Sequence, residues 1–113
     1  GGWNDQALVR VSRGETPVQI DLINVGFNVD NVRWGTDGGV IVAGHVTRCE
    51  GSDPCELAAA RVAEVDPDTF AVEQLIDYKG NEFFRLGTVA IDVQDEIWIG
   101  GINGSYGIAR FPR

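Results

Sequence analysis

The sequence predicts an all-β fold, a partial β-propeller of about two blades. Three observations predict it. A strand, turn, strand, glycine motif occurs twice: Asp30-Asn31-Val32-Arg33-Trp34 with Val40-Ile41-Val42-Ala43-Gly44-His45, then Gly87-Thr88-Val89-Ala90-Ile91 with Glu96-Ile97-Trp98-Ile99-Gly100-Gly101. Valine, isoleucine and aromatic residues dominate the apolar set, and 15 glycines with 4 prolines supply frequent turns. The copies lie 57 residues apart, Asn31 to Thr88, a little above the roughly 40 to 50 that a four-stranded blade needs. The excess sits in the loop that carries both cysteines.

Taken in order, Ala7 to Val11 opens the chain as a strand, and the first motif copy supplies two more. Thr36-Asp37-Gly38-Gly39 joins that pair as a hairpin connection. Ala59 to Val65 and Ala71 to Tyr78 read as strands linked by Asp66-Pro67-Asp68-Thr69, where proline takes the fixed-φ position of a type I turn. The second copy follows with Val93-Gln94-Asp95 as its turn, and Asn103-Gly104 links Glu96 to Ile102 with a last strand, Tyr106 to Phe111. Helical periodicity is absent apart from a short possible turn over Cys55 to Ala60. This divides the chain into a partial blade over 1–29, a full blade over 30–86 and a partial closing blade over 87–113.

A closed propeller needs at least about four blades, since each buries its faces against its neighbours. The chain has no methionine and opens in mid-blade at Gly1-Gly2-Trp3, so we expect the C-terminal portion of a larger propeller, completed by a companion N-terminal chain or segment. Assembly of copies into a ring ranks below that, because their termini would have to complete each other's sheets. Either way the open strand edges need cover.

Composition narrows the function classes. No run reaches the roughly 20 apolar residues of a membrane helix. A net charge of -8, from 17 acidic and 9 basic residues, argues against nucleic acid, whose phosphates would be repelled. It is compatible with cation binding, but a plain acidic surface is the simpler explanation. Cys49 and Cys55 flank a Gly, Ser, Asp and Pro loop; zinc would want a second pair, and His45 is the single histidine. A disulfide is therefore expected, implying a periplasmic or extracellular location. Asn103-Gly104-Ser105 fits the glycosylation pattern, but the turn explains it. Gly100-Gly101 precedes no helix that could hold a phosphate, and no serine sits on a hydrolase-type elbow.

Two features remain as candidates for chemistry. Asp30-Asn31 offers a carboxylate and an amide carbonyl at a strand end, hard oxygens suited to calcium, whose six to eight ligands would have to come partly from other blades. The same pair also suits a turn that bonds locally to backbone. His45 ends the second strand, where the later copy has glycine in the motif alignment, and it suits a general base or proton shuttle. A hydrogen-bonded structural histidine is the competing explanation. Trp34 and Trp98 are expected to pack between blades.

Phe27-Asn28-Val29-Asp30-Asn31-Val32, Asp37-Gly38-Gly39 and the strand ending at His45 resemble paraoxonase/arylesterase-type six-bladed propellers, in which an Asp-Asn pair precedes a strand ending near a histidine. Val62 to Thr69, Leu86 to Ala90 and Glu96 to Gly100 are similar to the last blades of that group, whose superfamily includes the senescence marker protein/gluconolactonase family. The resemblance implies that Asp30 and Asn31 are ligands of a channel Ca2+ and that His45 is a catalytic residue near the substrate mouth. It implies a calcium-dependent hydrolase of a small-molecule lactone or ester, with metal polarising the carbonyl and a base activating water. Strictosidine synthase-like proteins share the Asp-Asn pair without calcium chemistry, and a non-catalytic binding or structural propeller is the alternative from another class. The Cys49 to Cys55 insertion belongs to neither enzyme pattern.

Overall fold

The structure, a computed structural model, describes residues 1–46 and 59–113. Among these residues it is all-β, with nine strands and no helix. β1 (Ala7–Val11) and β2 (Ile20–Asn24) form a two-stranded sheet; β3 (Asn28–Trp34), β4 (Val40–His45), β5 (Ala60–Val65) and β6 (Val72–Tyr78) form a four-stranded one. β7 (Gly87–Val93), β8 (Glu96–Gly101) and β9 (Ala109–Pro112) form a third. Every pairing is antiparallel between strands adjacent in sequence. Each sheet is thus an open meander.

Side-chain alternation explains how the sheets stack. β4 is apolar at nearly every position, so both of its faces must be covered. Ile41 and Ala43 enter a core with Ala60, Val62, Ala90, Ile97 and Ile99, which glues the second sheet to the third. Val42 points the other way, into a core with Ile23, Val25, Phe27, Val29, Ala63 and Val65 beneath the first sheet. The four-stranded sheet is therefore the middle layer. The outward face of the first sheet carries the register pairs Val9 with Leu22 and Val11 with Ile20, all exposed.

The turns follow their chemistry. Asp66 Oδ1 accepts from the backbone N–H groups of Asp68 and Thr69, closing the turn between β5 and β6. Gly38, at φ 91°, lets the loop after β3 fold back so that Gly35 N donates to Gly39 O. Asn103 and Gly104 both take positive φ, but the loop they occupy runs over 102–108, and the last strand begins at Ala109 rather than Tyr106. β2 was not anticipated at all, since its apolar Ile20 and Leu22 face outward. Trp34 is 73% exposed instead of packed between layers.

Both motif copies contain a β-bulge at the same place. In β3 the register passes from Val29 opposite Gly44 to Asn31 opposite Ala43, leaving Asp30 as the extra residue. In β7 it passes from Gly87 opposite Gly101 to Val89 opposite Gly100, leaving Thr88. Aligned on the bulges, Asp30 matches Thr88 and Gly44 matches Gly101, so His45 corresponds to Ile102 rather than Gly101. The inward faces agree: Val42 packs toward the preceding sheet as Ile99 does.

Candidate functional site at the bulged strand ends

A bulge disturbs the ladder and re-aims side chains. Asp30 and Asn31 are accordingly exposed at the β3 bulge, while His45, across from Asn28 in the register, is only 6% exposed. Asn31 Nδ2 donates to the Thr88 carbonyl at 2.9 Å and to Asp30 Oδ1 at 3.0 Å. His45 Nδ1 lies 3.2 Å from the Gly87 carbonyl. A carbonyl can only accept, so Nδ1 carries the hydrogen and the neutral ring keeps Nε2 as its acceptor. Two adjacent carbonyls of the β7 bulge thus receive donors from the neighbouring sheet, which locks the two bulges together.

Trp3 was not anticipated as a site neighbour. Its ring meets that of His45 edge-on with centroids 4.8 Å apart, and its carbonyl accepts from Asn28 Nδ2 at 2.9 Å. Sequence reasoning missed it because it lies 42 residues from His45 with no local pattern linking them. Asp30, Asn31 and His45 share one end of the β3–β4 pair, the first two facing solvent and the third turned into the layer junction. Cys49 and Cys55 lie outside the described residues. Among the described residues, no group of three or more His, Cys, Asp or Glu side chains converges to hold a metal ion.

We expect His45→Ala to destabilise the chain by about 2 kcal/mol, because it strands the buried Gly87 carbonyl and removes an aromatic contact. Urea unfolding of the two proteins checks this, and an unchanged midpoint contradicts the interlock.

The opposite end of the strands carries a second cluster, which the sequence motifs did not reveal. Arg113 reaches three carboxylates: Asp37 Oδ2 at 3.1 Å, Glu64 Oε2 at 2.6 Å and Asp92 Oδ1 in a short contact. Asp92, whose side chain is 2% exposed, also accepts from Thr36 N at 2.9 Å and Thr36 Oγ1 at 3.3 Å. The Gly39 backbone N–H, with help from Glu64 and Arg113, holds Asp37 below the usual carboxylate range. Burial pushes Glu64 up, Asp37 adding to the effect and Arg113 opposing it. The bond to Glu64, together with Asp92, raises Arg113. These groups are joined by residues 37 to 113 meeting across two sheets, a juxtaposition that no sequence spacing announces.

In comparisons with known proteins, no family model, no curated protein and no solved structure matches the chain.

Proposed function

We propose that this chain is a stacked-sheet segment of a six-bladed propeller hydrolase acting on a lactone or ester, and that Asp30 and Asn31 supply two ligands to its calcium ion. The observation that carries this is the exposed bulge. Because Asn31 Nδ2 donates both to Thr88 O and to Asp30 Oδ1, Asn31 Oδ1 and Asp30 Oδ2 are left as acceptors on adjacent residues, and both oxygens are of the hard type that calcium prefers. The donor set therefore fits calcium as a partial site, its other ligands coming from outside this chain. A bound calcium would supply Lewis-acid polarisation of the substrate carbonyl.

His45 enters this scheme through Nε2. The Gly87 carbonyl fixes the hydrogen on Nδ1, and a ring so oriented can take a proton from water at its other nitrogen. The propeller reading is supported by the uncovered apolar strands β1 and β2, with Ile20 and Leu22 each 64% exposed, a face suited to a further sheet from a companion segment. A periplasmic or extracellular location rests on the proposed Cys49–Cys55 disulfide.

A second reading, a non-catalytic binding or structural propeller, is favoured by the burial of His45 against Trp3. A strictosidine synthase-like enzyme without calcium is the third. Isothermal titration with calcium, paired with hydrolysis of phenyl acetate and a simple lactone before and after chelation, separates them. On the hydrolase reading, Asp30→Ala weakens calcium binding at least about tenfold, the loss of one charged ligand being worth about 1.4 kcal/mol or more, and abolishes chelator-sensitive turnover. Absence of both calcium uptake and turnover in the assembled protein removes the hydrolase and leaves the binding module.

A further inference from the structure

The cluster around Arg113 holds more negative charge than one guanidinium can balance. Three carboxylates surround Gly35 so closely that a methyl group there would meet Asp92 Oδ2 at 2.9 Å, Asp37 Oδ1 at 3.3 Å and Glu64 Oε1 at 3.3 Å. Both oxygens of Asp37 and of Asp92 already accept a hydrogen bond, and each keeps a lone pair for another. Asp37 takes Gly39 N at 3.2 Å on Oδ1 and Arg113 on Oδ2; Asp92 takes Thr36 on Oδ2 and Arg113 on Oδ1. Glu64 differs. Its Oε2 accepts from Arg113 at 2.6 Å, but its Oε1 is buried and meets no donor among the described residues.

An ionised carboxylate oxygen buried without a donor and facing a second carboxylate is costly twice, through lost solvation and through repulsion. A hydrogen on Oε1 removes both costs at once. It turns the orphaned acceptor into a donor toward Asp37 and leaves Oε2 as a carbonyl-like acceptor for Arg113. We propose that Glu64 is protonated in the folded chain, donating its hydrogen to Asp37, and that loss of this proton sets two carboxylates against each other inside the Arg113 cluster and destabilises the fold.

The charges facing Glu64 reinforce this from every side. Asp37 comes from the loop between β3 and β4, Asp92 from β7, and Glu73 is its register partner on β6. Asp66 and Asp68, in the turn after β5, line the same hollow of about 600 Å³ with Glu64 and Glu73. Arg113 is the cation among these groups. Of these groups, Asp37 joins burial in opposing ionisation of Glu64, and Arg113 favours it. The cluster lies at the opposite strand ends from Asp30 and Asn31, so the inference stands apart from the calcium reading.

The sign is fixed by linkage. A carboxyl group whose folded pKa lies above its unfolded value contributes stability that is complete below the unfolded value and is lost as pH rises through the folded one. For Glu64 that window opens at its ordinary value of 4.5 and extends upward. Asp37 acts oppositely, its contribution being present above 3.8 and lost as pH falls through its lowered value. The two windows do not overlap.

The test is the thermal midpoint of native chain and Glu64→Gln measured from pH 4 to pH 8. The amide nitrogen of glutamine donates to Asp37 as the protonated acid does, so the variant should match the native chain at pH 4 and gain on it steadily above pH 4.5. A difference that does not grow with pH overturns the proposal. A carbon-13 titration of the native Glu64 carboxyl is the second measurement and needs no variant. Its midpoint should lie above 4.5 and fall in Asp37→Asn; a midpoint at or below 4.5 overturns the proposal equally.

Discussion

Ile99→Ala lowers the stability of the chain by about 3 to 4 kcal/mol, within the range of roughly 2 to 5 found for truncating a buried isoleucine. Ile99 is fully buried on β8, opposite Ala90 of β7 and Ala109 of β9, and it packs in the core shared with Ile41, Ala43, Ala60 and Val62 of the middle sheet. Its neighbours are small and already close. A methyl on Gly87 would come within 3.0 Å of Ile99 Cγ2, so the surrounding backbone has little freedom to collapse into the space left behind. The cost is therefore transfer plus cavity rather than transfer alone. Urea unfolding of Ile99→Ala beside Ile91→Ala provides the contrast: Ile91, 43% exposed on the outer face of the same sheet, should cost less than about 1 kcal/mol. Equal losses at the two positions would mean that the junction between the second and third sheets is not the stabilising core described above.

That contrast also marks where the sequence was informative. The strands of the two motif copies were legible because their apolar runs are bounded by strong turn residues, as at Thr36 to Gly39 and Asp66 to Thr69. The burial of β4 on both faces has its cause in a nearly unbroken apolar run from Val40 to Gly44. Register was not. Counting along the motif pairs Asn31 with Thr88, whereas the bulges pair Asp30 with Thr88, because composition reveals which residues prefer a strand but not where one residue drops out of the ladder. β2 escaped notice because its apolar residues serve a face that none of the described residues covers. The Arg113 cluster escaped for a different reason: its members come from a loop, two strands and the chain's last residue, and each alone reads as an ordinary surface charge. At the candidate site, Asp30, Asn31 and His45 were singled out from residue type and position. Their division into two exposed oxygens and one buried ring, fixed by the carbonyls of Gly87 and Thr88 and by Trp3, depends on contacts between sheets.

Gly44→Ala should cost about 3 kcal/mol, the upper part of the range for forcing an extra methyl into a filled space. Gly44 lies opposite Val29, at the last register pair before the Asp30 bulge. There the bulged strand bends toward its partner. A Cβ on Gly44 would meet the carbonyl carbon of Asn28 at 2.9 Å and the Phe27 ring at 3.1 Å, with the Asn28 oxygen nearer still. The obstruction is backbone, which cannot rotate aside as the end of a long side chain could. Gly101, at the matching place in the second copy, is confined in the same way by the Arg85 carbonyl and by Ser105 Oγ at 2.5 Å. Both motif copies end in glycine for this reason: the bulge needs a partner residue with no side chain. Gly107→Ala serves as control, since no described residue lies within 4 Å of its Cβ position, and it should leave the urea midpoint nearly unchanged. If Gly44→Ala instead behaves like Gly107→Ala, β3 must be able to give up its bulge freely. The exposed placement of Asp30 and Asn31 would then lose its structural cause. If the predicted loss appears, relief of the clash by movement of β3 should also disturb the Asn31 bond to Thr88, so that, on the proposed calcium reading, calcium uptake falls together with stability even though neither proposed ligand has been changed.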